Sequence, residues 1–155
     1  FSYGRLPLAF SSRCFTARFH NLPKDDCRFL CVEDPDGKTM STREGKPFLV
    51  INGIQTQSAL VHNLIADLPS LSEARVDVLR ISPQSAHTAA VVQLFRDVME
   101  QRATPDLALQ ATRKLSVTEC CNGYWHGGAG MEQKFDQTEA QAAAACQFVN
   151  RHAPQ

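Results

Sequence analysis

Residues 47–68 read PFLVINGIQTQSALVHNLIADL, and how they fold decides the architecture. Pro47 to Ile54 is a nearly continuous apolar run, the pattern of a strand buried on both faces of a parallel sheet. Gln55 to Ser58 closes the run in polar residues. Beyond it Leu60, Val61, Leu64, Ile65 and Leu68 recur at helical spacing, which predicts an amphipathic helix over residues 58–67 that stops near Pro69.

Downstream, Val76–Ile81 (VDVLRI) predicts the next strand and Ser82-Pro83-Gln84-Ser85 a loop. Ser85 or Thr88 caps a helix whose apolar face is Ala89, Val92, Phe95, Val98 and Met99. Thr104-Pro105-Asp106 opens a further helix, with proline in its first turn and Leu107, Ala111 and Leu115 inward. Upstream, Phe1–Phe10 predicts a short strand entering a loop. Asp34-Pro35-Asp36-Gly37 is a turn signature, and Thr39–Gly45 a polar loop. The alternation predicts an α/β fold, parallel strands with right-handed crossovers, forming part of a (β/α) TIM-barrel-like structure. Residues 1–130 make up that domain, with a cysteine-rich loop at 11–46. Residues 131–155 are a helical tail, with an Ala/Gln-rich helix over 138–150.

The chain has 155 residues, 43% of them hydrophobic, enough for a core. Sixteen basic side chains balance sixteen acidic ones, so no basic excess points to nucleic acid. No apolar run is long enough to span a membrane. The Phe-Ser-Tyr-Gly opening has no initiator Met and no signal-peptide pattern, and reads as a fragment of a longer chain. Six cysteines, clustered rather than spread, favour metal or redox chemistry in a reducing cytoplasm over a disulfide framework.

Three of the six lie in SSRCFTARFHNLPKDDCRFLC, residues 11–31: Cys14, Cys27 and Cys31. Arg13, Arg18, Lys24 and Arg28 surround them, and cationic neighbours favour thiolate, the form that binds metal. Three thiolates suit zinc or an iron–sulfur cluster but complete neither. His20 is a candidate fourth ligand for zinc, and Cys120 or Cys121 a candidate fourth thiolate from a distance. The alternative is three inert, core-like thiols. Cys146 reads as structural. His126, beside Trp125 in the glycine loop 123–130, is a surface residue or a substrate contact. His62 and His87 read as exposed positions beside helices, and Arg43–Glu44 as an ion pair on a loop. No hydrolase, zinc-protease or P-loop signature occurs.

YGRLPLAFSSRCFTARFHNLPKDDCRFLC, followed by KPFLVINGIQTQS and later CNGYW, resembles the UbiV branch of the collagenase-like peptidase family, from about Phe1 to Trp125. The resemblance implies a barrel-like fold of which this chain is the C-terminal half. It also implies a 4Fe–4S cluster, with Cys14, Cys27 and Cys31 as three of its four cysteines and the fourth outside the chain. A homologous UbiU-type subunit is the implied heterodimer partner. The implied activity is oxygen-independent hydroxylation of a ubiquinone precursor, with prephenate implicated as oxygen donor. The competing readings are a collagenase-like peptidase, an accessory factor for RNA hydroxylation, and a zinc-stapled interaction module.

Overall fold

The computed structural model describes residues 1–23 and 25–134. The predicted tail helix at 138–150 and Cys146 lie outside the described residues. The chain divides into two compact units, Phe1–Cys121 and Asn122–Gln155.

The first unit is built on a five-stranded, mainly antiparallel sheet. Its strands are β1 (Tyr3–Phe10), β2 (Lys38–Ser41), β3 (Pro47–Asn52), β4 (Gln55–Asn63) and β5 (Cys120–Cys121). They lie in the order β1-β4-β3-β2, with β5 also on β4. The parallel α/β fold expected from the sequence is therefore incorrect. The run at Pro47 is a strand, but its partners β2 and β4 are both antiparallel to it, and only Val50 within it is fully buried.

The predicted helix over 58–67 is also incorrect. Asn52 pairs with Gln55, leaving Gly53-Ile54 as a two-residue hairpin loop. Gly53 takes the positive φ (+60°) that such a loop needs. With the chain reversed there, Gln55–Asn63 continues as β4 along β1, from Phe10↔Gln55 to Tyr3↔Asn63. The register slips on either side of Pro7, which has no N–H to give the ladder. Ser58 fills the gap, its Oγ accepting from Leu6 N–H at 2.9 Å. The Arg5 guanidinium donates to the carbonyls of Ser58 and Ala59.

β3 accompanies β4 only as far as Ser58. Above that point β5 takes the vacated edge, pairing Val61↔Cys120 and His62↔Cys121 in parallel. The end of β4 is thus flanked by strands on both sides, and Val61, His62 and Asn63 are all buried. Asn63 ends the strand. Its Oδ1 accepts from Ile65 N–H at 3.1 Å, and its Nδ2 donates to Thr112 Oγ1 at 2.9 Å.

Three helices cover this end: α2 (Leu68–Glu73), α3 (Thr88–Met99) and α4 (Pro105–Leu115). Pro69, expected to stop a helix, instead sits in the first turn of one, where its missing N–H costs nothing. Val76–Ile81, expected as a strand, is not a ladder strand. It touches the sheet through the single parallel bridge Tyr3↔Ile81. In α3, Val91, Phe95 and Val98 face inward, while Ala89 and Met99 are exposed. In α4 the inward face is Ala108, Leu109 and Thr112, with Leu107 exposed. Thr104 caps α4, accepting from Leu107 N–H at 3.4 Å. The core joins these residues to Tyr3, Val61, Leu64, Ile65, Leu68 and Leu71. The Tyr3 ring meets Phe95 edge-on at 6.1 Å.

At the opposite end of the sheet the apolar side chains are uncovered. Phe10, Phe19, Phe29 and Val32 are each 67–74% exposed, and Ile54 about half exposed. The second unit begins with a turn-rich segment. Asn122 and Gly123 N–H both donate to Glu132 O, and Asn122 Oδ1 accepts from Lys134 N–H at 2.6 Å. No helix among the described residues is long and apolar enough to cross a membrane.

Candidate functional site

After β1 the chain turns onto the tip of the β3–β4 hairpin. Ser11 N–H donates to Ile54 O at 2.9 Å and Phe15 N–H to Gly53 O at 3.0 Å. These bonds seat the short helix α1 (Phe15–Phe19), which packs on β3. Cys14 is its N-cap. Its backbone is extended and its Sγ accepts from Ala17 N–H at 3.4 Å, the role a serine or aspartate usually plays.

Cys31 lies in a 3-10 turn, Leu30–Glu33, that packs against α1. Cys27 precedes two consecutive residues in the left-handed region, Arg28 and Phe29 (φ +51° each). Non-glycine residues enter that region rarely; here the pair leads into the 3-10 turn that holds Cys31. The predicted turn after them forms, with Gly37 N–H donating to Asp34 O at 2.8 Å. The polar loop expected from Thr39 is shorter, because Lys38–Ser41 pairs with β3 as β2.

The structure therefore brings Cys14 and Cys31 onto two packed elements at the hairpin tip. All three thiols are partly exposed, and none is in a disulfide. Their donor chemistry suits a soft metal or an iron–sulfur cluster. No three His, Cys, Asp or Glu side chains among the described residues form a group that could hold a metal ion. His20, the candidate zinc ligand, caps the end of α1. Its Nε2 is buried with no hydrogen-bond partner.

Cys120 and Cys121 are not close enough to supply a fourth thiolate. They pair with Val61 and His62, seven or more residues along β4 from the hairpin tip that seats Cys14. At about 3.3 Å per residue that is roughly 25 Å. Cys121 is buried, which pushes its thiol up to about 11. Cys120 is half-buried and accepts from Asn63 Nδ2 at 3.6 Å. His62, expected to be exposed beside a helix, is a buried strand residue, and burial lowers its pKa. His87 is exposed, in a left-handed conformation at the start of α3. Glu44 is held below the ordinary carboxylate range by the Thr42 side chain rather than by Arg43. His126 lies in the second unit's turn, its N–H donating to Gly123 O at 3.1 Å.

Two cavities frame the choice of site. The larger, about 580 Å³, lies between α2, residues 76–79 and the α3–α4 junction, and is lined mainly by apolar side chains. Its one cation, Arg102, is tied to Asp97 at 2.8 Å. The smaller, about 260 Å³, surrounds Cys14 and is lined by Arg13, Ala17, Arg18, Asn21 and Leu22 besides. Sequence reasoning picked out the arginines and the cysteine. It missed Asn21, whose residue type, favoured just past a helix end for the positive φ (+54°) it adopts, was the available signal. No family model matches the chain, and no solved structure matches it.

Proposed function

We propose that the chain is part of an iron–sulfur protein of the UbiU–UbiV type, in which Cys14, Cys27 and Cys31 ligate a 4Fe–4S cluster. In this reading the fourth ligand comes from outside the cysteine segment. The protein works in the cytoplasm with a homologous UbiU-type subunit, supporting oxygen-independent hydroxylation of a ubiquinone precursor with prephenate as the oxygen donor. The observation that carries the reading is three free, partly exposed thiols on one segment, two of them on packed elements seated on a hairpin tip. The resemblance of the surrounding sequence supplies the cluster type, the partner and the substrates. When bound, the cluster would supply electron transfer or an electrophilic iron.

The test is anaerobic iron and acid-labile sulfide analysis with a visible spectrum, on the chain alone and with a UbiU-type subunit. Iron, sulfide and a broad charge-transfer band, all lost in Cys27→Ser, are expected. Unchanged iron in Cys27→Ser would overturn the ligand assignment. A zinc-stapled module is the second reading, favoured by the buried, unbonded His20 Nε2. Zinc without sulfide, released by His20→Ala, would select it.

A further inference from the structure

Six apolar side chains lie uncovered at the hairpin-tip end of the first unit. Phe15 and Phe19 are four residues apart and so share a face of α1. Phe29 and Val32 are three apart at the 3-10 turn, the spacing at which side chains eclipse. These two elements pack on each other. Phe10 ends β1 opposite Gln55, and Ile54 sits in the hairpin loop beside it. All six are 42–74% exposed. With ~150–250 Å² for a whole aromatic side chain, they leave on the order of 700 Å² open to water. The largest apolar patch on a typical monomer is about 300–600 Å². Each side of a standard protein–protein interface contributes about 800 Å². The open area is therefore of interface size.

The charges around these side chains narrow the occupant. Arg13 and Arg18 are exposed, and so are Asp25 and Glu33. None of the four has an ion pair among the described residues, whereas Arg28 is tied to Asp26 at 3.2 Å and Lys38 to Asp34 at 2.6 Å. Arg18 lies on α1 and Glu33 in the 3-10 turn packed against it. One end thus offers two spare cations and two spare carboxylates. An anionic bilayer favours cations alone near its surface, and it would repel Asp25 and Glu33. A two-fold contact between identical surfaces has the opposite requirement: the surface must complement itself, so that each residue meets its counterpart's partner twice. Spare charges of both signs meet that requirement, and at a rim they fix register more than they add affinity.

We propose that this end is the interface for a second copy of the chain, in a two-fold dimer. The aromatic side chains of α1 and the 3-10 turn form its dry centre, and Arg13 and Arg18 of each copy face Asp25 and Glu33 of the other. The dimer goes beyond the iron–sulfur reading and does not depend on it, because the apolar area and the spare charges belong to the chain itself.

The test is sedimentation equilibrium of the metal-free full chain, under a reductant that prevents disulfides, from micromolar to millimolar concentration. A monomer–dimer equilibrium is expected. Phe19→Ser and Phe29→Ser should each raise its dissociation constant about tenfold, while Leu107→Ser, at an exposed position on α4, leaves it unchanged. The two phenyl rings are largely exposed, so these variants keep the fold, which circular dichroism verifies. A second arm uses charge. Arg13→Glu/Arg18→Glu and Asp25→Lys/Glu33→Lys should each be monomeric alone and associate when mixed. A chain that stays monomeric throughout, or association unchanged in both phenylalanine variants, would overturn the interface. Assembly beyond the dimer would overturn its two-fold closure, and no gain on mixing would overturn the charged rim. A monomer that instead cosediments with phosphatidylglycerol vesicles would assign the end to a bilayer and overturn the dimer. Iron and sulfide analysis fails or succeeds separately, so the two proposals cannot be confused.

Discussion

Asp36 and Ser85, 49 residues apart in sequence, are joined twice: Asp36 Oδ1 accepts from Ser85 N–H at 2.8 Å, and Oδ2 from the Ser85 hydroxyl. This pair ties the turn that ends the cysteine segment to the loop that precedes α3. Hydrogen bonds to an ionised acceptor are stronger than neutral ones. Asp36→Ala is expected to lower stability by about 1–2 kcal/mol, measured by urea unfolding. Ser85→Ala keeps the backbone bond and loses less. Equal stability of Asp36→Ala and the parent would show that the tie contributes nothing.

Acidification acts through His62. Its side chain is buried with Nδ1 unbonded, and burial depresses its pKa, with Asp67 opposing. The unfolded chain therefore takes up a proton, near the ordinary histidine pKa of about 6.5, before the folded chain does. Stability is full above that value and falls as the pH drops through it toward the depressed folded value. Denaturant midpoints between pH 5 and 8 should decline on the acid side, and less so in His62→Gln. The same slope in that variant would reassign the effect.

Two loop glycines separate strain from crowding. Gly53 and Gly37 both have positive φ, +60° and +80°. A Cβ at Gly53 meets nothing within 4 Å, whereas one at Gly37 comes within 2.5 Å of Val50 Cγ1 and 2.9 Å of Ile51 O. Gly53→Ala should cost about 1 kcal/mol, the backbone term alone. Gly37→Ala should cost clearly more. Thermal unfolding of the two variants makes the comparison, and similar losses would show that the β2–β3 hairpin yields around residue 37.

Thiol chemistry should divide the described cysteines. Cys14, Cys27, Cys31 and Cys120 are partly exposed, and Cys121 is buried with its thiol pushed up to about 11. Iodoacetamide at pH 8, read by peptide mass mapping, should label the first four and spare Cys121 until denaturant is added. Labelling of Cys121 at the rate of Cys120 would mean that β5 is not held on β4.

Turns and the cap of α4 were legible in the sequence; the cap of α3, expected at Ser85 or Thr88, is His87, and the strand pairing was not legible. Thr104-Pro105-Asp106 begins α4, and Asp34–Gly37 turns the chain, because proline, glycine and short polar side chains act locally. The fold class went astray at Asn52-Gly53. A two-residue loop containing glycine, between two apolar runs, is a hairpin signal, and it outweighs the spacing of the leucines that follow. Leu60 and Val61 are strand residues, Leu64 and Ile65 belong to a turn, and Leu68 starts α2. Their helical rhythm spans three different conformations. In α4 the inward face was misplaced at Leu107: the helix turns Ala108, Leu109 and Thr112 inward, the last of them bonded to Asn63. At the candidate site, the thiols and arginines were visible as residue types. Their seat on the hairpin tip depended on β1 running along β4, and the separation of Cys120 and Cys121 from it on β5 pairing with β4, long-range pairings that no local pattern encodes.

The uncovered aromatic end has a colloidal consequence. Phe10, Phe19, Phe29 and Val32 stand open at that end, on a chain whose formal charges cancel at pH 7. Molecules that carry no net charge do not repel one another, so short-range attraction between such faces goes unopposed. Solubility should therefore pass through a minimum near neutrality. A shift of two pH units either way should improve it more than added salt, which has little net repulsion left to screen.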